Sequence, residues 1–169
     1  MGSYANQLTF FRFIFTTTVA LFFLHCSDIV LFFLFGFPIF LDGVDGFLAR
    51  KFEQESSLGA LLDKTTDAYF VLILSMVLVL YYEVPFWFLL VGWLHYGYEL
   101  LLEILNWSHL KIPKNPIGKS AAVVLFIGLL SPFLLSRTWF LPIIYLVSCL
   151  TTLSFAWSFR AKYHAFVKT

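Results

Sequence analysis

The sequence predicts an all-α integral membrane protein, and its composition, its hydropathy pattern and its charge distribution all support that prediction. Of the 169 residues, 60% are hydrophobic and 12% are charged, which is about half the charge of a typical soluble domain. So few polar groups could not cover the surface of a soluble protein of this length. The net charge of +1 creates no basic field for nucleic acid, so we expect no nucleic-acid partner.

Six apolar segments approach the roughly 20 residues that a helix needs to cross about 30 Å of hydrocarbon. We expect transmembrane helices over Leu8–His25, Ile29–Ala49, Leu58–Tyr82, Pro85–Trp107, Gly118–Leu135 and Trp139–Phe159. The breaks between these segments are short, and we find neither a linker nor an internal repeat. The sequence therefore predicts a single membrane domain over residues 1–169, embedded in a lipid bilayer.

The distribution of Lys and Arg predicts the orientation of these helices. If both termini face the cytoplasm, every Lys and Arg except Arg137 lies at or near the cytoplasmic side. An excess of these residues is typical of cytoplasmic loops. We therefore expect cytoplasmic N and C termini, and a site that faces the cytoplasm beside the loop KFEQESS. In a bacterial cell, the expected location is the inner membrane.

Four aspartates interrupt the second and third apolar segments: Asp42, Asp45, Asp63 and Asp67. The first two are three residues apart and the last two are four apart, so each pair shares one helix face. Counted from the loop between the segments, Asp45 and Asp63 lie roughly 9 Å deep, whereas Asp42 and Asp67 lie roughly 15 Å deep. In an antiparallel helical hairpin, the four carboxylates therefore converge on one small volume.

Such a cluster needs cations, because one ionised Asp within a span costs about 2.5–3.5 kcal/mol and like charges raise that cost. Arg50 and Lys64 are too few to neutralise four carboxylates. Carboxylates without His or Cys favour a hard ion, Mg²⁺ or Mn²⁺, which also holds phosphates. Gly46, Ala49 and Gly59 allow a bulky ligand to approach closely, and Arg50 can grip phosphate oxygens. The pattern indicates a nucleoside diphosphate or a similar pyrophosphate.

The same residues resemble the signature of the CDP-alcohol phosphotransferases, which reads here Asp42-x2-Asp45-Gly46-x2-Ala49-Arg50-x8-Gly59-x3-Asp63-x3-Asp67. A second stretch is similar to the N-terminal element of that family, with Ala5 at its usual proline, and reads Asn6-x-Leu8-Thr9-x-x-Arg12. The resemblance implies an enzyme that moves a phosphatidyl or similar group from a CDP-linked donor to an alcohol and releases CMP. It also implies a homodimer.

The resemblance further implies a role for each signature residue. Asp42, Asp45 and Asp63 would hold the metal, with two Mg²⁺ or Mn²⁺ ions expected. Asp67 would act as the general base on the acceptor hydroxyl, and would share in the second ion. The residues implied in binding the nucleotide and phosphates of CDP-diacylglycerol, or of a related donor, are Asn6, Thr9, Gly46, Ala49, Arg50 and Gly59.

The acceptor is predicted from fewer residues. Members that resemble phosphatidylglycerophosphate synthase hold a phosphorylated acceptor with basic side chains, so glycerol 3-phosphate is the best candidate. We expect acceptor contacts from Lys64, Glu99, Lys114 and Lys119, although Tyr98 stands where those members often carry an arginine. His95, Glu99 and Glu103 form one helical stripe. Either the stripe lines the acceptor cavity, or His95 and Glu99 pair between helices and Glu103 is solvated.

Two further interpretations follow from physical chemistry alone. Arg12, Lys111 and Lys162 are expected to be anchors whose charged ends reach the lipid headgroups. For Arg12, the resemblance of the N-terminal element to that of the family also leaves a functional role open. A divalent-cation transporter is the alternative function for six spans with an acidic cluster. A transporter would need acidic entrances on both sides of the membrane, but the opposite turns hold only Asp28, Glu83 and Arg137.

Overall fold

The computed structural model describes residues 4–51, 57–107, 115 and 118–167, and these residues are almost entirely helical. This part of the chain contains no strand, which confirms the predicted all-α class. Short 3₁₀ turns over Phe23–His25, Phe86–Phe88 and Ser131–Phe133 adjoin the longer helices. In chain order, the α-helices are α1 Tyr4–Phe22, α2 Asp28–Lys51, α3 Ser57–Tyr81, α4 Leu89–Ile104, α5 Gly118–Leu130 and α6 Arg137–Val167.

Three stretches of the described chain are long and apolar enough to cross a membrane, namely Gln7–His25, Leu62–Tyr81 and Arg137–Val167. A fourth apolar stretch, Ser120–Phe133, is shorter. The helix α4 is shorter than the predicted segment because its first turn is 3₁₀ and because Asn106, with φ of 56°, stops it. The protein is therefore a helical membrane protein. That it has six spans, and that both termini face the cytoplasm, remain predictions.

The helix α1 packs closely against both α2 and α3, and this arrangement differs from the simple hairpin expected from the sequence. Among the described residues, α2 and α3 make few direct backbone contacts. The two helices nevertheless run antiparallel. Tyr82, just beyond the end of α3, donates a hydrogen bond to Asp28 at the start of α2. Consequently, a side chain of α1 can reach the space between the aspartates of α2 and α3.

A second group of helices surrounds the other face of α3. The helix α4 packs against α3, and α6 packs against α5. In addition, α6 contacts α4, and α5 contacts α3. Part of the shared core is aromatic: the ring centroid of Phe35 lies 5.7 Å from that of Phe133, on which it stacks, and 6.2 Å from that of Phe70. All three side chains are buried, so this cluster joins α2, α3 and the end of α5.

Large apolar side chains cover the outside of the bundle. Phe10, Phe33 and Phe86 are among many that are more than 60% exposed. Exposed apolar surface of this extent is expected of a protein surrounded by lipid rather than water. It therefore supports the membrane location that the composition predicted.

Candidate metal centre and adjoining cavity

Three carboxylates from two helices meet at one end of the bundle. Asp42 comes from α2, and Asp63 and Asp67 come from one face of α3. One oxygen from each carboxylate lies within 4.8 Å of the others, and all three residues are half-buried. The structure therefore brings together three of the four aspartates that the sequence singled out. Asp45 lies in α2, but its side chain is outside the described part of the structure.

Arg12 of α1 lies at the centre of this cluster. Its Nη1 donates to Oδ1 of Asp42 at 2.7 Å and to Oδ1 of Asp63 at 3.0 Å, and its Nη2 donates to Oδ1 of Asp67 at 2.6 Å. Arg12 is only 2% exposed. Its interpretation as a headgroup anchor is therefore wrong, and the reason is that α1 directs this residue toward α2 and α3 instead of the membrane surface.

Lys162 contradicts the anchor interpretation in the same way. Its Nζ donates to the backbone oxygen of Trp107 at 3.0 Å, and the residue is buried. Trp107 also packs against the aromatic rings of Phe159, Tyr163 and Phe166. Lys162 therefore ties the chain just beyond α4 to α6. Lys111, the third expected anchor, lies outside the described residues.

The chemistry of the cluster fits a hard divalent cation. Its donors are carboxylate oxygens from Asp42, Asp63 and Asp67, and oxygen donors suit Mg²⁺ and Mn²⁺. Three negative charges and the one positive charge of Arg12 leave a formal charge of −2, which a divalent ion balances. One oxygen of each carboxylate lies within 4.8 Å of the others, so the three side chains are close enough to face a single ion.

A cavity of about 360 Å³ lies beside the cluster, between α3, α4, α5 and α6. Asp67 lines this cavity and also belongs to the carboxylate cluster. The wall of the cavity is largely apolar, with residues such as Val71, Val91 and Leu125, and several polar side chains also line it. Asp67 is therefore the point at which the carboxylate cluster and the cavity meet.

Charged groups from α3 and α4 line the cavity near Asp67. The Nζ of Lys64 donates to Oε1 of Glu99 at 3.1 Å, and both residues line the cavity. His95, one helical turn from Glu99, lines it as well. Lys64, rather than His95, is thus the ion-pair partner of Glu99 in the described chain. Glu103 is exposed, as expected of a solvated residue.

Asn115 forms a polar part of the wall that the sequence pattern did not predict. Its Nδ2 donates to Oγ of Ser154 at 2.9 Å and to Oγ of Ser158 at 3.1 Å, and its Oδ1 accepts from the backbone N–H of Gly118 at 3.1 Å. All four residues line the cavity. An Asn three residues before a helical glycine, and two serines four residues apart, are the signals that could have revealed this group.

The other predicted site residues are only partly described. Thr9 lies on α1, one turn before Arg12, and is buried, while Gly59 is half-buried in the first turn of α3. Lys114 lies outside the described residues. The remaining predicted residues lie in helices, but their side chains are outside the described part: Asn6, Gly46, Ala49, Arg50 and Lys119.

The fold and the site together define an all-helical membrane protein with a cluster of three carboxylates, suited to a divalent cation, that adjoins a cavity. The family profile described as CDP-alcohol phosphatidyltransferase matches residues 3–157. The chain therefore belongs to the CDP-alcohol phosphatidyltransferase family and is a phosphotransferase. The family is generally dependent on divalent metal, and it uses CDP-alcohol donors and alcohol acceptors in a membrane. No curated protein matches the chain.

Proposed function

We propose that this enzyme transfers the phosphatidyl group of CDP-diacylglycerol to a small alcohol and releases CMP, with glycerol 3-phosphate as the preferred acceptor. The family supports transfer from a CDP-alcohol to an acceptor. The observation that carries the proposal is the position of Asp67, which belongs to the carboxylate cluster and also lines the cavity. A hydroxyl in the cavity would thus lie beside the group that takes its proton.

The donor would bind at the carboxylate cluster. We propose that Asp42, Asp45 and Asp63 hold Mg²⁺ or Mn²⁺, with two ions in total and with Asp67 sharing the second. When bound, these ions would neutralise the pyrophosphate and stabilise CMP as it leaves. For the nucleotide and its phosphates, we propose the family-like residues Asn6, Thr9, Gly46, Ala49, Arg50 and Gly59.

The acceptor would bind in the cavity between α3 and α6. Asp67 takes the proton from the acceptor hydroxyl, whose oxygen then forms a bond to the phosphatidyl phosphorus. The bond from that phosphorus to the bridging oxygen breaks, and the electron pair departs with CMP. Lys64 is placed for a phosphate on the acceptor, and Glu99 fixes Lys64 by the ion pair at 3.1 Å. Lys114 and Lys119 are proposed to add to this positive charge.

The membrane arrangement completes the proposal. We propose six spans in one domain over residues 1–169, with both termini and the site in the cytoplasm, and with a bacterial inner membrane as the location. The lipid tails of the donor would then stay in the bilayer while the alcohol arrives from water. A homodimer is proposed from the resemblance to the family.

The charges at the opposite end of the bundle favour this function over cation transport. Asp28 accepts a hydrogen bond from Tyr82, and Glu83 is paired with Arg137. These two carboxylates are therefore engaged, and neither resembles the three-carboxylate cluster formed by Asp42, Asp63 and Asp67. A transporter would need a second acidic entrance on that side.

The test is an identification of products. Purified protein is incubated with CDP-diacylglycerol, Mg²⁺ or Mn²⁺ and a panel of alcohols, and the lipid product is identified by mass. We expect CMP release and the phosphatidyl ester of one acceptor, glycerol 3-phosphate. CMP release with a different alcohol would correct the acceptor alone. No release with any alcohol, together with Mn²⁺ flux into vesicles, would replace the enzyme with a transporter.

A further inference from the structure

The buried guanidinium of Arg12 has a relationship to the carboxylates that the proposed reaction does not use. Its two terminal nitrogens bond one oxygen of each of Asp42, Asp63 and Asp67 at 2.6–3.0 Å. These bonds join α1 to α2 and α3 at a single point. Arg12 is thus a cation held at the place where three potential metal ligands meet.

We propose that Arg12 is a built-in competitor of the divalent cation, so that binding of Mg²⁺ or Mn²⁺ requires this guanidinium to give up hydrogen bonds with the aspartates. The inference rests on the proposed binding of a divalent cation at this site. It goes beyond the proposed function because it assigns to Arg12 the control of metal affinity.

Arg12 opposes metal binding through electrostatic repulsion and by occupying the ligand atoms. A guanidinium within hydrogen-bond distance of three carboxylates repels a divalent ion that approaches the same oxygens, and a half-buried site screens this repulsion less than bulk water does. Arg12 also occupies lone pairs that a metal ion would use. Both effects weaken metal binding, so the affinity of the site is lower than three aspartates alone would provide.

Arg12 also lowers the energetic cost of holding three carboxylates together without a metal ion. Three like charges within 4.8 Å of one another repel strongly. Arg12 compensates part of this repulsion in the fold itself, and its burial at 2% exposure allows it to do so without competition from solvent. The site can therefore keep its shape at low metal concentration. A phosphate of the donor would give Arg12 a new acceptor when it leaves the aspartates.

The sign of the effect distinguishes this role from a purely supporting one. If Arg12 only held the ligands in place, its removal would weaken metal binding, because ligating carboxylates lose affinity when their hydrogen-bond partners are removed. If Arg12 competes, its removal strengthens metal binding. A measurement of metal affinity, which needs no turnover, separates the two.

The test is to titrate the whole chain, in detergent, with Mn²⁺ alone. Binding is measured by calorimetry and by the electron paramagnetic resonance signal of free Mn²⁺. We expect Arg12→Gln to lower the Kd for Mn²⁺ at least tenfold. The matched control is Arg137→Gln, which removes the same charge from an ion pair at the other end of the bundle, and its Kd should stay within twofold of the unsubstituted protein. An unchanged or higher Kd in Arg12→Gln would overturn the proposal.

A second variant covers the case in which Arg12→Gln does not fold. Arg12→Lys keeps the charge, but its compact ammonium lacks the planar fork that spans the three aspartates. We expect a Kd that is lower than that of the unsubstituted protein by at least threefold, and an equal or higher value would contradict the proposal. Absence of Mn²⁺ binding in both the unsubstituted protein and the variants would also overturn it. Tighter Mn²⁺ binding in the variants, together with no transfer to any alcohol by the unsubstituted protein, would refute the proposed function while leaving this inference intact.

Discussion

Gly92 of α4 lies so close to Leu72 of α3 that a Cβ at position 92 would come within 3.0 Å of the Leu72 Cα and 3.3 Å of the Ser75 Oγ. The absence of a side chain at position 92 thus allows α3 and α4 to approach this closely. Because Gly92 also lines the cavity, the same close approach sets the shape of the space next to Asp67.

Substitution of Gly92 by Ala is therefore expected to destabilise the protein. The new methyl group meets backbone that cannot move easily, and overpacking of this kind costs about 1–3 kcal/mol. Gly97→Ala is the matched control on the same helix, because a Cβ at position 97 would meet no neighbouring atom of the described chain within 4 Å. Thermal unfolding in detergent should show a lower Tm for Gly92→Ala and an equal or higher Tm for Gly97→Ala. Equal shifts in both variants would contradict this view of the α3–α4 contact.

Much of the fold could be predicted from the sequence because hydropathy and length dominate in a membrane helix. The predicted segment Ile29–Ala49 lies within α2, and Leu58–Tyr82 nearly coincides with α3. The convergence of Asp42, Asp63 and Asp67 was predictable for a similar reason, since helical spacing fixes depth and face.

The role of α1 could not be predicted in this way. Hydropathy gives the length of a helix but not its neighbours, so the hydropathy pattern does not reveal the contacts of α1 with both α2 and α3. An anchor at the membrane surface is therefore the wrong prediction for Arg12, which is buried among the carboxylates. Asn115 was missed because its partners, Ser154 and Ser158, are distant in sequence and become neighbours only through the packing of α5 on α6.

The ion pair between Lys64 and Glu99 predicts a selective effect on the acceptor. Lys64→Gln should raise the KM for glycerol 3-phosphate about tenfold, because a hydrogen bond to a charged group contributes about 1.5–3 kcal/mol. The KM for CDP-diacylglycerol should change less than twofold. Steady-state kinetics with each substrate varied in turn provides the measurement, and Arg137→Gln serves as control for the loss of an exposed ion pair. Equal increases in both KM values would rule out an acceptor role for Lys64.

Asn115 is expected to stabilise the junction of α5 and α6. In Asn115→Ala, the backbone N–H of Gly118 loses its side-chain acceptor, and Ser154 and Ser158 lose a donor. Loss of a helix cap alone costs about 0.5–2 kcal/mol, so the Tm should fall. Thr18→Ala is the control, because the described bond of the exposed Thr18 hydroxyl is to the Ile14 carbonyl of its own helix. A Tm for Asn115→Ala no lower than that of the control would show that the bonds do not stabilise this junction.

Removal of divalent metal should abolish transfer. Treatment with a chelator is expected to reduce CMP release by at least about 100-fold, since charge on the leaving group would no longer be neutralised. Addition of Mg²⁺ or Mn²⁺ should restore the rate in the unsubstituted protein. In Asp63→Asn, which removes one of the three clustered carboxylates, restoration should need a higher metal concentration. Full activity after chelation would exclude the carboxylate cluster as an essential metal site.

The assignment of Asp67 as the general base is tested by comparing turnover with donor binding in Asp67→Asn. If Asp67 takes the proton of the acceptor, CMP release should fall by at least about 100-fold, which is typical for the loss of a general base, whereas the Kd for CDP-diacylglycerol should stay within threefold. Asp28→Asn is the control, because Asp28 lies at the other end of the bundle and pairs with Tyr82; it should retain turnover. Undiminished CMP release in Asp67→Asn would contradict the assignment of Asp67 as the base and, with it, the proposed catalytic site.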